Sequence, residues 1–493
     1  MENNNSNNGN NNNRPKLYHG RKPVTRREFL ASGAIPFMAS MTMPSLMTMF
    51  AKSGLAQAQE LCKAAAATKL APFITVNLNG GWGATRNWIA LTEGRELLPH
   101  YGLQGLGSAA NLVGQIVKDG HFKNKPNFYS GSGFLAGVQT SLVPNLATSA
   151  LAKTHFVGLP LQSQNDSDTN RFDSSGLVAK AGMKGKILPN MGRVDNGIGV
   201  SNATAFVMPP APLIVNNVDN IINALGVADR LSGLSASQKT SFFKASAKLS
   251  QAQSRKLASM TGGSLLDRLL GTANKDNVNL IENPSGLDLD PRTNPAFAAV
   301  WGLNANTGRG DASYVNAALL FNAINGNAGT ISIELGGYDY HGSDLATTNR
   351  MDTDAGVVIG RIIQSLHVMN SPGFIHLVSD GGVGTPKSDS PGVDPTADRG
   401  DAGAMFMMAY DPSETVESVD SQLGHMKNDP DAEAADDRFL VGGNSEIAAA
   451  AVFANYLSFN GKLGLWSGIP ETNRTFDTLA LDKIVKIHGK AAA

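Results

Sequence analysis

From residue 73 to residue 459, short apolar runs alternate with longer stretches whose apolar positions recur every three or four residues. The runs at 73–78, 155–158, 213–215, 330–335, 374–378 and 405–409 are too short for helices. They are continuous rather than alternating, which predicts strands covered on both faces. Ala355, Val358, Ile359, Ile362, Ile363, Leu366 and Met369 form one helical stripe between Asp354 and the break at Ser371-Pro372-Gly373. Residues 314–324 and 445–459 read the same way. Strands alternating with helices predict an α/β domain, a mostly parallel sheet with helices on both sides. Residues 235–270 differ, being rich in Lys, Ser and Gln with Leu249, Leu257, Leu265 and Leu269 at helical spacings. They predict a helical insertion on the domain edge. Residues 427–438 are acidic and Ala-rich, a surface loop, and no internal repeat occurs.

The first 58 residues have another character. Residues 3–13 are all Asn except Ser6 and Gly9, a polar tract with nothing to pack, and predict disorder. Arg14, Lys16, Arg21, Lys22, Arg26 and Arg27 follow, and from Phe29 to Ala51 no charge occurs. Ala56-Gln57-Ala58 then supplies a small-residue exit, completing the order of an export signal. Thr25-Arg26-Arg27-Glu28-Phe29-Leu30 resembles the twin-arginine motif, which implies export of a folded protein by the twin-arginine translocation machinery to the periplasm or envelope. Pro36, Pro44 and the many Ser and Thr make the uncharged stretch a poor membrane span, though it is long enough to stay as an uncleaved anchor.

Composition matters chiefly once that leader is set aside. The whole chain has 493 residues with 41 basic and 41 acidic side chains. Residues 1–58 hold seven of the basic and two of the acidic ones, so residues 59–493 carry 34 and 39, a net charge of −5. A mildly acidic domain lacks the basic excess of a nucleic-acid binder. Cys62, the single cysteine, excludes an internal disulfide framework and a cysteine-based zinc cluster. Gln59-Glu60-Leu61 before it lack the small residues of a lipidation site.

In open α/β sheets ligands gather beyond the carboxyl ends of the strands. Three such ends here are polar and glycine-rich. Asn77-Leu78-Asn79-Gly80-Gly81-Trp82-Gly83 permits close backbone approach but is not a phosphate-binding P-loop, since no Gly-Lys-Ser/Thr follows. In Glu334-Leu335-Gly336-Gly337-Tyr338-Asp339-Tyr340-His341-Gly342, a carboxylate and an imidazole two residues apart can face one cation, with Asp344 nearby. The same residues equally suit a turn cap and a solvated loop position. In Leu377-Val378-Ser379-Asp380-Gly381-Gly382, the acid ending an apolar strand requires either a cation or backbone donors. Asp394, Asp398, Arg399, Gly400 and Asp401 follow before the next run, adding hard oxygen ligands suited to a divalent ion.

Taken in order, these motifs resemble the twin-arginine-exported domain-of-unknown-function (DUF) 1501 family, related to alkaline phosphatases and sulfatases. The resemblance runs from about residue 24 to the helix at 447–457, is strongest at 336–341 and the signal, and is loose from 100 to 300. It implies an alkaline-phosphatase-like α/β/α sandwich with a metal-centred site at the strand ends. Asp339 and His341 match the family's Asp-x-His motif, and Asp380 the acid of its Ser-acid-x-Gly motif. The chain departs at Gly83, where the family has a carboxylate, and at Asp398-Arg399-Gly400, where it has Asp-His-Gly. Arg399 cannot ligate a metal and brings a fixed positive charge. Ser163-Gln164-Asn165 stands where the family has Ser-His-Phe. Ser163 and Ser167 are nucleophile candidates by position alone.

Two functions follow as expectations. One is a non-catalytic envelope or surface protein that keeps the sandwich and binds a small molecule, glycan or protein. The other is a metal-dependent hydrolase of phosphate or sulfate esters. In it Asp339, His341, Asp380 and Asp398 hold one Zn, Ca, Mg or Mn ion, and Arg399 binds the substrate anion.

Overall fold

The computed structural model describes residues 70–118, 122–140, 147–161, 172–183, 185, 188–193, 206–209, 212–225, 289–340, 342–396, 403–427, 442–475 and 481–489, with isolated positions at 235, 238, 241 and 248. The segment read as an export signal, Cys62, residues 428–438 of the stretch read as a surface loop, and all but four positions of the stretch read as a helical insertion (235–270) lie outside the described residues.

Seven strands form the central sheet: β1 (Phe73–Gly81), β2 (Thr154–Leu161), β3 (Leu188–Arg193), β4 (Leu213–Ile214), β5 (Ala328–Leu335), β6 (Gly373–Gly381) and β7 (Gly403–Tyr410). Their order is β2-β7-β6-β1-β5-β3-β4. β1 pairs in parallel with β6 and β5, and β3 in parallel with β5 and β4. β7 is antiparallel to both its neighbours, β6 and β2. Each apolar run read from the sequence is thus a strand of one mostly parallel sheet. β3 is the exception that no run announced, because Leu188-Pro189-Asn190-Met191-Gly192-Arg193 alternates in character and buries only part of its length.

The period-two geometry of a strand sends alternate side chains to opposite faces, and here both faces are buried. Ile74, Val76, Leu78, Ile331, Ile333, Ile375, Leu377, Phe406 and Met408 join one core cluster. It includes residues of α2 (Gly133–Thr140), α4 (Ala312–Ile324) and α5 (Leu345–Val368). Phe73, Phe374, Val378, Met405, Met407, Ala409, Val157 and Leu159 join the other, with α3 (Ser175–Lys180) and α6 (Ser445–Phe459). The sheet is therefore the middle of three layers, with α1 (Ala84–Asn87) a single turn after β1. α6 is buried on every side from Ala448 to Phe459, and its run of alanines keeps it close to the sheet.

One polar row crosses the second face. Ser332, Thr75 and His376 lie side by side on β5, β1 and β6, all buried. His376 Nε2 lies 3.1 Å from Met405 Sδ and its Nδ1 meets no partner. Burial alone lowers its pKa to about 3, so the ring is neutral in the fold. The sign of the linkage follows. An unfolded chain protonates this histidine below about pH 6.5 and the native state does not, so this contribution is complete above that pH and declines as pH falls toward 3. The stability margin of His376→Leu over the parent is expected to grow by about 1.4 kcal/mol per pH unit between roughly pH 6 and pH 4. Paired denaturant titrations measure it, and a pH-independent difference would refute it.

Candidate functional site

The parallel strands bring their carboxyl ends to one edge. Leu78 pairs with Leu335 on one side and Ser379 on the other, and Gly81 pairs with Gly381 after an irregularity in β1. The antiparallel strand β7 starts at the same edge, its Gly403 opposite Leu161, the last residue of β2. Six strands leaving and one arriving make this the polar edge of the sheet.

Glycine is required at its centre. Gly80 has φ +106°, and a Cβ there would lie 2.4 Å from the amide nitrogen of Asp339. The amide of Tyr338 donates to the Asn79 carbonyl at 2.9 Å, joining the loop after β5 to β1. On the other side, Ser379 Oγ accepts the amide of Trp82 at 3.2 Å and donates to the Gly80 carbonyl. Three strand ends are thereby locked around one glycine pair. Beneath it, Asn77 Nδ2 donates to Asn79 Oδ1 at 3.2 Å and Asn79 Nδ2 donates to Glu334 Oε1, with Asn77 and Glu334 buried.

The loop after β5 is held by alternation. Tyr338 and Tyr340 are buried and stack with their centroids 6.5 Å apart, while Asp339 between them is exposed. Tyr338 donates to the Met351 carbonyl at 3.0 Å, and Tyr340 to the Thr348 carbonyl and to the Asp352 carboxylate. Asp352 also accepts Trp82 Nε1 at 2.7 Å and a hydrogen bond from Asn87. Asn87 in turn donates to the Gly83 carbonyl and accepts from Ser132 Oγ and the amide of Phe134. Burial pushes the Asp352 carboxyl up, against the hydrogen bonds of Tyr340, Asn87 and Trp82 and the charge of Arg86. Burial and then the Asp352 charge push the Tyr340 hydroxyl well up.

Arg86 on α1 completes this cluster and is the least satisfied group in it. It is 6% exposed, and among the described residues its guanidinium makes a single side-chain hydrogen bond, from Nη1 to Thr348 Oγ1 at 3.5 Å. Among the described residues no carboxylate lies within ion-pairing distance of it; Asp352 and Asp394 act on it only through space. Burial lowers its pKa. A buried ion without a partner carries a desolvation penalty of several kcal/mol.

The residues singled out from the sequence fare unequally. Asp339 is exposed, its backbone against Gly80. Asp380 is the penultimate residue of β6, beside the Gly381 that pairs with Gly81. Their chain positions therefore flank the same glycine pair. Asp344 and Asp394, read as possible hard oxygen ligands, instead serve the start of α5. Asp344 Oδ1 accepts the amide of Thr347 and Asp394 Oδ1 that of Leu345, both at 2.8 Å. His341, Ser163, Ser167, Asp398 and Arg399 lie outside the described residues. Among the described residues there is no group of three His, Cys, Asp or Glu that could hold a metal ion.

Sequence reasoning passed over Arg86 and Asp352. One signal was available: Asp352 falls three residues before Ala355 and seven before Ile359, on the apolar stripe of α5. An acid there must be hydrogen-bonded or paired to be tolerated. Arg86 carries no such mark.

Fold and edge together define a three-layer α/β protein with a polar site at its strand exits. Compared with protein-family models, curated proteins and solved structures, the chain matches none.

Proposed function

We propose that this chain is an exported, alkaline-phosphatase-like α/β/α domain that binds its ligand at the exits of β1, β5 and β6 without turning it over. The twin-arginine motif at Arg26-Arg27 supports export to the periplasm or envelope. The observation that carries the binding reading is the state of Ser379, the one hydroxyl described on the strand residues at this edge. It is tied into the backbone, donating to Gly80 and accepting from Trp82, and a nucleophile must be free to give up its proton to a base. On β1 beside it stand the amides Asn77 and Asn79, which recognise ligands by hydrogen bonding and neither transfer protons nor hold divalent ions firmly, and Asn79 in turn occupies the buried Glu334 carboxylate.

A metal-dependent hydrolase is the second reading, favoured by the flanking of one glycine pair by Asp339 and Asp380. His341 and Asp398 would complete the ion's ligands, and Arg399 would face the ester anion. Metal analysis and turnover decide between the two. The purified chain is expected to retain less than about one divalent ion and to leave aryl phosphates and aryl sulfates intact. Turnover that disappears together with a stoichiometric ion in Asp339→Ala and Asp380→Ala establishes the hydrolase instead.

A further inference from the structure

Arg86 poses a question that the fold leaves open. A guanidinium offers five donors in a planar fork, and here one long bond to Thr348 uses one of them. Asp352, the nearest carboxylate in electrostatic effect, is occupied by Trp82, Tyr340 and Asn87 and makes no ion pair with Arg86. The stem of Arg86 crowds the space over Gly83 together with Tyr340 and Val383: a Cβ on Gly83 would lie 3.1 Å from Arg86 Cδ and 3.2 Å from both Tyr340 Cε2 and Val383 Cγ1. α1 begins three residues after Gly81, the last residue of β1, so the charge stands on the turn that leaves the strand exits. A buried cation that no carboxylate among the described residues contacts directly is a receptor for an anion.

We propose that Arg86 receives the carboxylate group of an acidic ligand bound at the strand exits. The charge inventory selects a carboxylate over a phosphate or sulfate. One guanidinium faces the field of two acids, Asp352 and Asp394, which raises the energy of a dianion more than that of a monoanion. The planar fork matches the two oxygens of a carboxylate, each receiving an N–H. The ligand class is therefore an acidic sugar, a peptide carboxyl terminus or a small organic acid, which share this group. The assignment rests on the strand exits being the ligand site.

The test uses the full exported chain, with sodium acetate and sodium galacturonate as probes against sodium chloride, sulfate and phosphate at matched ionic strength and constant neutral pH. Both carboxylates are expected to raise the melting temperature saturably, and chloride to leave no saturable change. Arg86→Lys, which keeps the charge and removes the fork, is expected to weaken the apparent carboxylate affinity by at least about tenfold. Asp352→Asn, which keeps Arg86 and removes a repelling charge, is expected to tighten it by a few-fold, and it serves if the lysine variant does not fold. A flat response to both carboxylates overturns the proposal, as does an equal response in parent and Arg86→Lys. Tighter binding of sulfate or phosphate overturns the carboxylate assignment. Arg86 as a mere counter-charge to Asp352 predicts a stability loss in Arg86→Lys that is identical in acetate and chloride. Metal content and ester turnover are read separately, so loss of this assignment and loss of the binding-protein reading are distinct results.

Discussion

Replacing Asp352 with Ala is expected to destabilise the protein by about 4 kcal/mol or more, among the largest effects of any single polar substitution in it. The carboxylate accepts from the Trp82 indole, the Tyr340 hydroxyl and Asn87, all of them buried. Its removal strands the Trp82 and Asn87 donors without water, at roughly 1–3 kcal/mol each, leaves the Tyr340 hydroxyl only the Thr348 carbonyl, and deprives Arg86 of its nearest compensating charge. Asp352→Asn is expected to lose less, about 2 kcal/mol, because one oxygen survives while the new amide opposes a donor. The loss has a local signature. Tyr340 anchors the loop that carries Asp339, so amide exchange should quicken at residues 336–344 before the rest of the sheet opens. Denaturant midpoints and peptide-level exchange measure both effects. An Asp352→Ala protein as stable as the parent would show that Trp82 and Tyr340 do not depend on it.

The second large effect belongs to the contact between α2 and α5. Gly133 and Gly137 stand one turn apart on α2, and Gly356 faces them from α5. A Cβ at Gly137 would lie 2.1 Å from the Thr353 carbonyl oxygen, and one at Gly356 2.1 Å from that of Phe134. Both obstacles are backbone, so neither can swing away. The helices must part, and the apolar side chains of α2 and α5 around the crossing, Phe134, Val138, Ala355 and Ile359, lose contact. Gly→Ala in a helix normally gains about 1 kcal/mol from propensity. Here overpacking is expected to reverse that gain, giving a net loss of about 2 kcal/mol for Gly356→Ala and more for Gly137→Val. Gly443→Ala, with nothing within 4 Å of the added carbon, is the control and is expected to be near neutral. Thermal melts of the three variants test the ranking, which fails if Gly356→Ala matches the control.

Much of this architecture is legible along the chain, for a physical reason. Burial on both faces of a strand requires consecutive apolar residues, and 73–78, 330–335, 374–378 and 405–409 show it without any knowledge of their neighbours. The stripe from Ala355 to Leu366 is equally local, since the helix repeat alone decides which side chains share a face. The site was legible only in outline. Glycine-rich polar exits after apolar runs mark where a ligand can approach, and Gly80 does sit at the junction of the strand ends. What Asp344 and Asp394 do was not legible, because a capping acid and a ligating acid have the same local neighbourhood until the helix start is positioned.

The sequence by itself determined six of the seven sheet strands, the helices α4, α5 and α6, and the glycines where the chain turns at the sheet edge. Those properties depend on residues within a turn or a strand of one another. The tertiary structure alone decided that β7 runs against its neighbours, that Trp82 and Tyr340 share one carboxylate, and that Arg86 is buried with no ion partner among the described residues. Trp82 and Asp352 are 270 residues apart, and no periodicity links them. A polar group's partner is chosen by the packing of whole layers, whereas its hydrophobic neighbours need only be apolar and of fitting size.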